Sequence, residues 1–293
     1  MIDKNYIEIV SEVSEKIMLP EPVRQKLKEV LQKLPAENAK PFVAGLTGAK
    51  WEECRCMLKN ILGEDDGGMK ILACMLWAAG YSECKYREAK IPEYVFTETM
   101  KCFTRFVNEH KASYGSWGFD RDFWIGRQLS LQLFRLGELE YEKCIENKES
   151  KISIHIPSDA DLSREKCRES LKLAVKFFSY EKEHRLPFNE DGELAADFSA
   201  APYICESWLL SPALKILLPR TSKIIKFQEM FEICSVNEKD MSFMEWVYKR
   251  RDIPLEALPE NTSLQRNMKR FLLSGGQIGE ASGKLKKSYL ARE

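Results

Sequence analysis

Two side chains in this sequence have the chemistry and the setting for proton transfer, and both lie in strand-like stretches. His155 sits in "KISIHIP", where Ile152, Ile154 and Ile156 alternate with Ser153 and His155. Period two puts His155 on one face with Lys151 and Ser153, opposite the isoleucines. Only His110 and His184 share its residue type. A neutral imidazole is the side chain best suited to taking a proton near neutral pH. The plainer reading is a strand histidine bonded to a neighbouring loop. Glu206 lies in "YICESWLL", on a face with Ile204 and Trp208. A carboxylate against an indole is desolvated, which raises its pKa toward that of a general base. Its plainer reading is an ion pair with Arg220 or Lys226. Between these strands, "PSDADLS" opens a helix. The free amides of a helix start, with the Ser158 and Ser163 hydroxyls, can receive an anion.

These groups depend on the elements that carry them. Residues 1 to about 115 have helical periodicity only. Val23, Leu27, Val30, Leu31 and Leu34 recur at helical spacing, and "WEECRCMLKNIL" and "MKILACMLWAAGYSECKYRE" predict two more helices. "PEYVFTETMKCFTRFVNEHKASYG" predicts a further single helix, and "SYGSWGFDRDFW" reads as the loop joining two halves. Then the period changes. Alternation at Leu129, Leu131 and Leu133, at Leu139 and Tyr141, and at Ile152–Ile156 predicts a three-strand antiparallel meander turning at Gly137 and "ENKES". A long helix with Asp161 or Ser163 as cap follows, then the strand "APYICESWLL", a short helix at "ALKILL" and a strand at "SKIIKFQEMFEIC". Helices are expected near 242–251 and 263–273, and the tail has no clear pattern. A helix between "KISIHIP" and "YICESWLL" makes those two strands parallel, with a crevice outside their carboxyl ends.

Composition narrows the classes. Forty-five basic residues balance forty-five acidic ones in 293, against nucleic acid as a partner, since phosphate binding leaves a basic excess. No stretch has the length of apolar sequence that spans a membrane. Nine cysteines without Cys-x-x-Cys spacing suggest neither zinc nor a disulfide framework, and the N-terminus reads as no signal segment. The expectation is a cytoplasmic protein with its cysteines mostly in the core.

The element order resembles that of the GNAT acyltransferase superfamily. "IPEYVFTETMKCFTRFVNEH", "YGSWGFDRDFWIGRQ", "ISIHIPSDADLS" and "CESWLLSPALKILLPRTSKIIKFQEMFEI" are similar to a bacterial family of two-domain acyltransferases, over about residues 5–276. The resemblance implies an α+β protein: an all-helical N-acyltransferase N-terminal domain, 1–117, then a GNAT-like mixed β-sheet domain flanked by helices, 118–293. It implies transfer of an acyl group from acetyl-CoA or another acyl-CoA to a small-molecule or peptide amine, without a metal. His155 and Glu206 would be the catalytic pair, with Ile156, Ser158 and Ser163 binding the CoA tail. Typical members carry a glycine-rich pyrophosphate loop before the main helix. Here "PSDADLS" has no glycine and two aspartates, Asp159 and Asp161. That departure supports a second reading, a non-catalytic ligand- or protein-binding module of the same fold that has lost CoA binding.

Overall fold

A computed structural model describes residues 5–184, 197–249 and 253–290. The chain divides into two compact units, with the border between Arg135 and Leu136.

The first unit is helical: α1 (Tyr6–Lys16), α2 (Glu21–Leu31), α3 (Ala36–Gly45), α4 (Trp51–Leu62), α5 (Met69–Glu88), α6 (Glu93–Met100), α7 (Cys102–Tyr114) and α8 (Asp122–Leu129). Helix α5 is its axis. Residues 71–79 are buried without interruption, as expected of a helix surrounded by others; α1, α2, α3 and α8 all pack on it. Two expectations change here. The helix expected over 92–115 breaks at Lys101 into α6 and α7. The loop expected around 113–124 ends in α8, which packs on α4 and α5, so the helical unit runs past 117. Burial explains the helix: Asp122 is 6% exposed and its carboxylate receives Arg55 at 2.8 Å and Lys59 at 3.1 Å. Leu129 and Leu131 are therefore not strand residues. Leu129 closes α8, and Leu131 has a positive φ of 58°.

The sheet consists of β1 (Leu133–Leu136), β2 (Leu139–Glu146), β3 (Glu149–His155), β4 (Tyr203–Ser207), β5 (Phe231–Asn237) and β6 (Glu280–Leu285), in the order β1-β2-β3-β4-β6-β5. Helix α9 (Arg164–His184) connects β3 to β4. Strands β2 and β3 are antiparallel and β3 and β4 parallel, as the alternation and crossover predict. Two elements differ. "SKIIKFQEMFEIC" forms α11 (Lys223–Gln228) before β5, after the short α10 (Leu214–Leu217), and the patternless tail contains β6, antiparallel to both β4 and β5. Helices α12 (Phe243–Tyr248) and α13 (Ser263–Leu273) close a satellite core of Phe243, Met244, Tyr248, Met268 and Leu272.

One face of the sheet is apolar. Tyr141, Ile152, Ile154, Tyr203 and Cys205 are buried on it, as are Cys167, Leu171, Ala174 and Phe178 of α9. Phe178 and Tyr141 meet the Tyr203 ring edge-on at 6.4 and 6.1 Å. Ser170 pins α9 to the β1–β2 turn. Its hydroxyl donates to the Leu136 carbonyl and bonds the Tyr141 hydroxyl at 2.9 Å, and it accepts from the Leu139 amide at 3.1 Å. One hydroxyl thus uses its whole donor and acceptor capacity. Ser170→Ala strands a buried amide and a buried phenol, so a loss of about 1–3 kcal/mol is expected in urea unfolding of this unit.

Candidate active site

The β3–β4 ladder is short. Its register pairs Ile152 with Tyr203, Ser153 with Ile204 and Ile154 with Cys205, and the Ile152 amide donates to the Pro202 carbonyl at 2.9 Å. Beyond Ile154 the strands follow different neighbours. His155 faces Glu140 of β2, while Glu206 and Ser207 continue on β6 opposite Ser282 and Ala281. The local sequence accounts for the parting. Pro157, buried just past β3, has no N–H to extend a ladder. Ser207 ends β4 by accepting the Leu209 amide at 3.1 Å, which starts the 3₁₀ turn Trp208–Leu210.

The face opposite α9 is polar where the strands part. Register puts Glu140 and Glu142 of β2, Ser153 and His155 of β3, Glu206 of β4, and Glu280, Ser282 and Lys284 of β6 on it. His155 and Glu206, named from the sequence, thus lie on one face, each one residue past the last paired position of its strand. His155 is bonded at Nε2 to Glu142 Oε2, 2.7 Å away, with the two side chains 23% and 15% exposed. Glu142 did not emerge from the sequence, although a signal for it was there. Asn147 and Lys148 form a two-residue hairpin loop, both with positive φ (51° and 68°), the requirement of a type I′ turn. Counting back from that loop sets Glu142 opposite Ser153 and diagonal to His155. Glu206 differs from expectation. It is exposed rather than desolvated, because Trp208 has left the strand for the 3₁₀ turn. Nor does Lys226 reach it; Lys226 pairs with Glu229 at 3.1 Å. On the same face, burial, then Asp240 and Glu206, raise the Glu280 carboxyl above the usual range.

Between His155 and α9 lies the turn whose aspartates looked unsuited to an anion. Asp161 Oδ1 accepts the Ser163 amide at 2.9 Å and Lys223 Nζ at 2.7 Å. Lys223, and next the Ser163 amide, hold the Asp161 carboxyl below the usual aspartate range. Its charge is therefore matched, at the surface, by a lysine at the start of α11. Ser163 is committed to Asp161 through its amide and hydroxyl, which counts against it as an anion donor. Ser158 is exposed and Ile156 half-buried. The first helical amides, from Arg164 onward, precede the first backbone bond, Cys167 N to Ser163 O at 3.0 Å, and lack intrahelical acceptors. Arg164 stands beside them with its guanidinium 5.9 Å from the Tyr289 ring. No cluster of metal-ligating residues occurs among the described residues.

A mixed sheet that opens at its one parallel junction, next to the amino end of the crossover helix, defines a GNAT-like acyltransferase fold. Family models agree. One described as GNAT-like C-terminal domain matches residues 133–285, and one described as N-acyltransferase N-terminal domain matches residues 8–131. The chain belongs to this two-domain GNAT-like family. Among solved structures it is similar to an acyltransferase in complex with decanoyl-CoA and teicoplanin, at 20% identity and a TM-score of 0.73, over 94% of this chain and 87% of that one. A mutant acyltransferase in complex with octanoyl-CoA has 22% identity and a TM-score of 0.74, over 95% and 88%. An acyltransferase in complex with CoA and 10C-teicoplanin has 21% identity and a TM-score of 0.67, over 94% and 99%. At these identities the likeness is one of fold. No curated protein matches the sequence.

The Asp161–Lys223 pair has a measurable consequence. Because the folded pKa of Asp161 is depressed, its contribution to stability is complete above the ordinary aspartate value and fades as pH falls through the lowered one. Lys223→Ala is expected to raise the Asp161 midpoint in a carboxyl-carbon NMR titration. An unchanged midpoint would assign the depression to the Ser163 amide and hydroxyl.

Proposed function

We propose that this protein is an N-acyltransferase that moves an acyl group from acyl-CoA to a small-molecule or peptide amine. The observation that carries the reading is the parting of β3 and β4 after Ile154 and Cys205, with His155 on its polar face and the amino end of α9 next in the chain. Unpaired backbone at the ends of two parallel strands offers amides and carbonyls to an extended amide-bearing arm, as a third strand would. The free amides of α9, with Arg164 beside them, suit the phosphates at the end of such an arm. Ile156 and Ser158 flank that path. The similar solved acyltransferases hold decanoyl-CoA and octanoyl-CoA, which favours acyl-CoA as donor here and a medium-length chain as the first to try.

In the proposed reaction the amine nitrogen attacks the thioester carbonyl carbon. A C–N bond forms and the C–S bond breaks; the proton of the neutral amine passes to His155, which returns it to the departing thiolate so that CoA leaves as the thiol and His155 is restored. Glu206, exposed across the gap, draws the ammonium form of the acceptor rather than acting as the base. A cysteine relay is disfavoured. Cys205 beside the gap is fully buried on the apolar face, and burial pushes its thiol up; burial likewise pushes Cys167 to about 12. Neither supplies the thiolate that an acyl-enzyme needs. All nine cysteines are free, which favours a reducing cytoplasm. No described helix is long and apolar enough to cross a membrane.

The test is CoA release from decanoyl-CoA with a panel of amines, followed by a thiol reagent. Wild type is expected to turn over with at least one acceptor, and His155→Ala to lose about 10²–10⁴-fold in kcat, the range for a general base. Thermal midpoints should rise with decanoyl-CoA concentration in both proteins, since the variant keeps the binding turn. No rise at millimolar donor would sink the acyl-CoA reading and leave the non-catalytic module.

A further inference from the structure

We propose that the notch between α1 and α2 is a binding site for a small monocarboxylic acid with an apolar body. The proposal does not depend on acyl transfer, and the site lies wholly within the helical unit. The notch has a volume of about 350 Å³, at the lower end of the range for small-molecule sites, about 300–1,000 Å³. Val10, Leu27 and Leu31 form its apolar wall, and Ile7, 37% exposed, stands at its mouth.

One residue of that wall breaks the pattern. Five serines are buried among the described residues. Ser82, Ser130, Ser170 and Ser211 each donate to a backbone carbonyl, of Leu129, Gly126, Leu136 and Ile278 in turn. Ser14, 2% exposed, lines the notch, and its hydroxyl bonds nothing. Nor does it return its proton to the carbonyl four residues back, the common resort of a serine inside a helix. Alanine would close this wall at no cost, whereas buried polar atoms are as a rule paired. The hydroxyl proton rotates about the C–O bond and can meet an acceptor lodged in the notch.

Two cations extend the set. Arg24 Nε is also buried and unpartnered, while the terminal nitrogens turn to Glu21 and, at 4.0 Å, to Glu15. Lys28 lies one turn further along the same face of α2 and lines the notch. It is exposed and has no counter-ion among the described residues. The capacity left over is a hydroxyl, a guanidinium N–H and an ammonium. All three donate, and only an acceptor can use them together. Arg24 and Lys28 balance Glu15 and Glu21 in the lining. One added negative charge therefore has Lys28 to meet it, whereas a doubly charged phosphate would leave a surplus beside the two glutamates. Those carboxylates are turned to Arg24, so the notch favours a ligand with no donor of its own beyond the acid group.

Octanoate is the probe, added at millimolar concentrations to the full chain in a calorimetric titration, with methyl NMR of Val10, Leu27 and Leu31 to place it. Saturable binding that shifts those methyls is expected. Ser14→Ala is expected to weaken it about 10–100-fold, the worth of a hydrogen bond to a charged group. Lys28→Gln is expected to weaken it about 2–5-fold, the worth of an exposed charge pair. Octanamide keeps the tail with a neutral head, and acetate keeps the head without the tail; each should bind more weakly than octanoate. Because the Ser14 hydroxyl bonds nothing in the chain, Ser14→Ala without ligand should match or exceed the wild-type thermal midpoint. A fall in that midpoint shows that the hydroxyl already has a partner, such as a held water, and overturns the proposal. Octanoate that fails to saturate, leaves those methyls unmoved, or binds Ser14→Ala as tightly as wild type overturns it too. Equal affinity for octanamide or acetate removes the carboxylate or the apolar body from the assignment, and the proposal falls with either.

Discussion

The site depends on a parallel ladder that stops early. Strands β3 and β4 share three register pairs and then diverge, and each is kept in the sheet by a different antiparallel neighbour. Strand β2 holds β3 through His155, and β6 holds β4 through Ser207. Without those outer ladders the ends of β3 and β4 would have to pair with each other or lie frayed, because backbone N–H and C=O groups need partners. The sheet can therefore present unpaired backbone at its centre only because it is wide on both sides. Strand β6, the least conspicuous element in the sequence, is what keeps the opening rigid on the β4 side.

That explains why some elements were legible and others were not. The alternation in β3, the periodicity of α9 and the apolar run of β4 each report burial on a face, and burial is what sequence patterns record. Strand β6 alternates too, with Ala281, Gly283 and Leu285 buried, but small residues give a faint signal. Its ladder to two neighbours supplies what its own propensity lacks. At Gly283 the reason for smallness is visible: a Cβ would lie 3.1 Å from Phe231 and 3.2 Å from Leu210. Helix α11 failed for the opposite reason. Ile225 and Phe227 alternate over a segment too short for the two periods to be told apart. Helix α8 hid behind its aromatics; its packing shows in the burial of Ile125, Gly126 and Leu129 and of Asp122, which pairs with Arg55 and Lys59.

The candidate site divides in the same way. His155 could be found because a rare residue sat on a well-marked strand face. Glu142 needed a register as well, and register is a property of two strands and the turn between them. A slip of one residue would carry Glu142 to the apolar face. The glutamates of "LEYEKCIE" look equivalent until the loop at Asn147–Lys148 is counted. Glu206 was found for a reason that does not hold. Its face was right, but the desolvation attributed to Trp208 assumed that the strand continued, and Ser207 ends it.

On the proposed reading, the turn at residues 157–163 is a glycine-free sequence that faces the phosphates of the donor. A glycine loop leaves several amides pointing outward and adds no charge. This turn uses two amides internally, Ala160 to the Pro157 carbonyl and Ser163 to Asp161, gives the Asp161 amide to Glu138, and adds two aspartates, all apparent losses. Lys223 changes the balance, because it comes from α11 rather than from the turn and cancels Asp161 at 2.7 Å. With that pair matched, the amino end of α9 and Arg164 are set against the remaining carboxylates of the turn and its neighbours, Asp159, Glu138 and Glu165. The departure from the glycine pattern is therefore a change in which groups supply the field. The cost is dependence on a second helix: Lys223 reaches Asp161 from α11, so the proposed anion-facing end of the site is, like the parted strands, a product of tertiary packing.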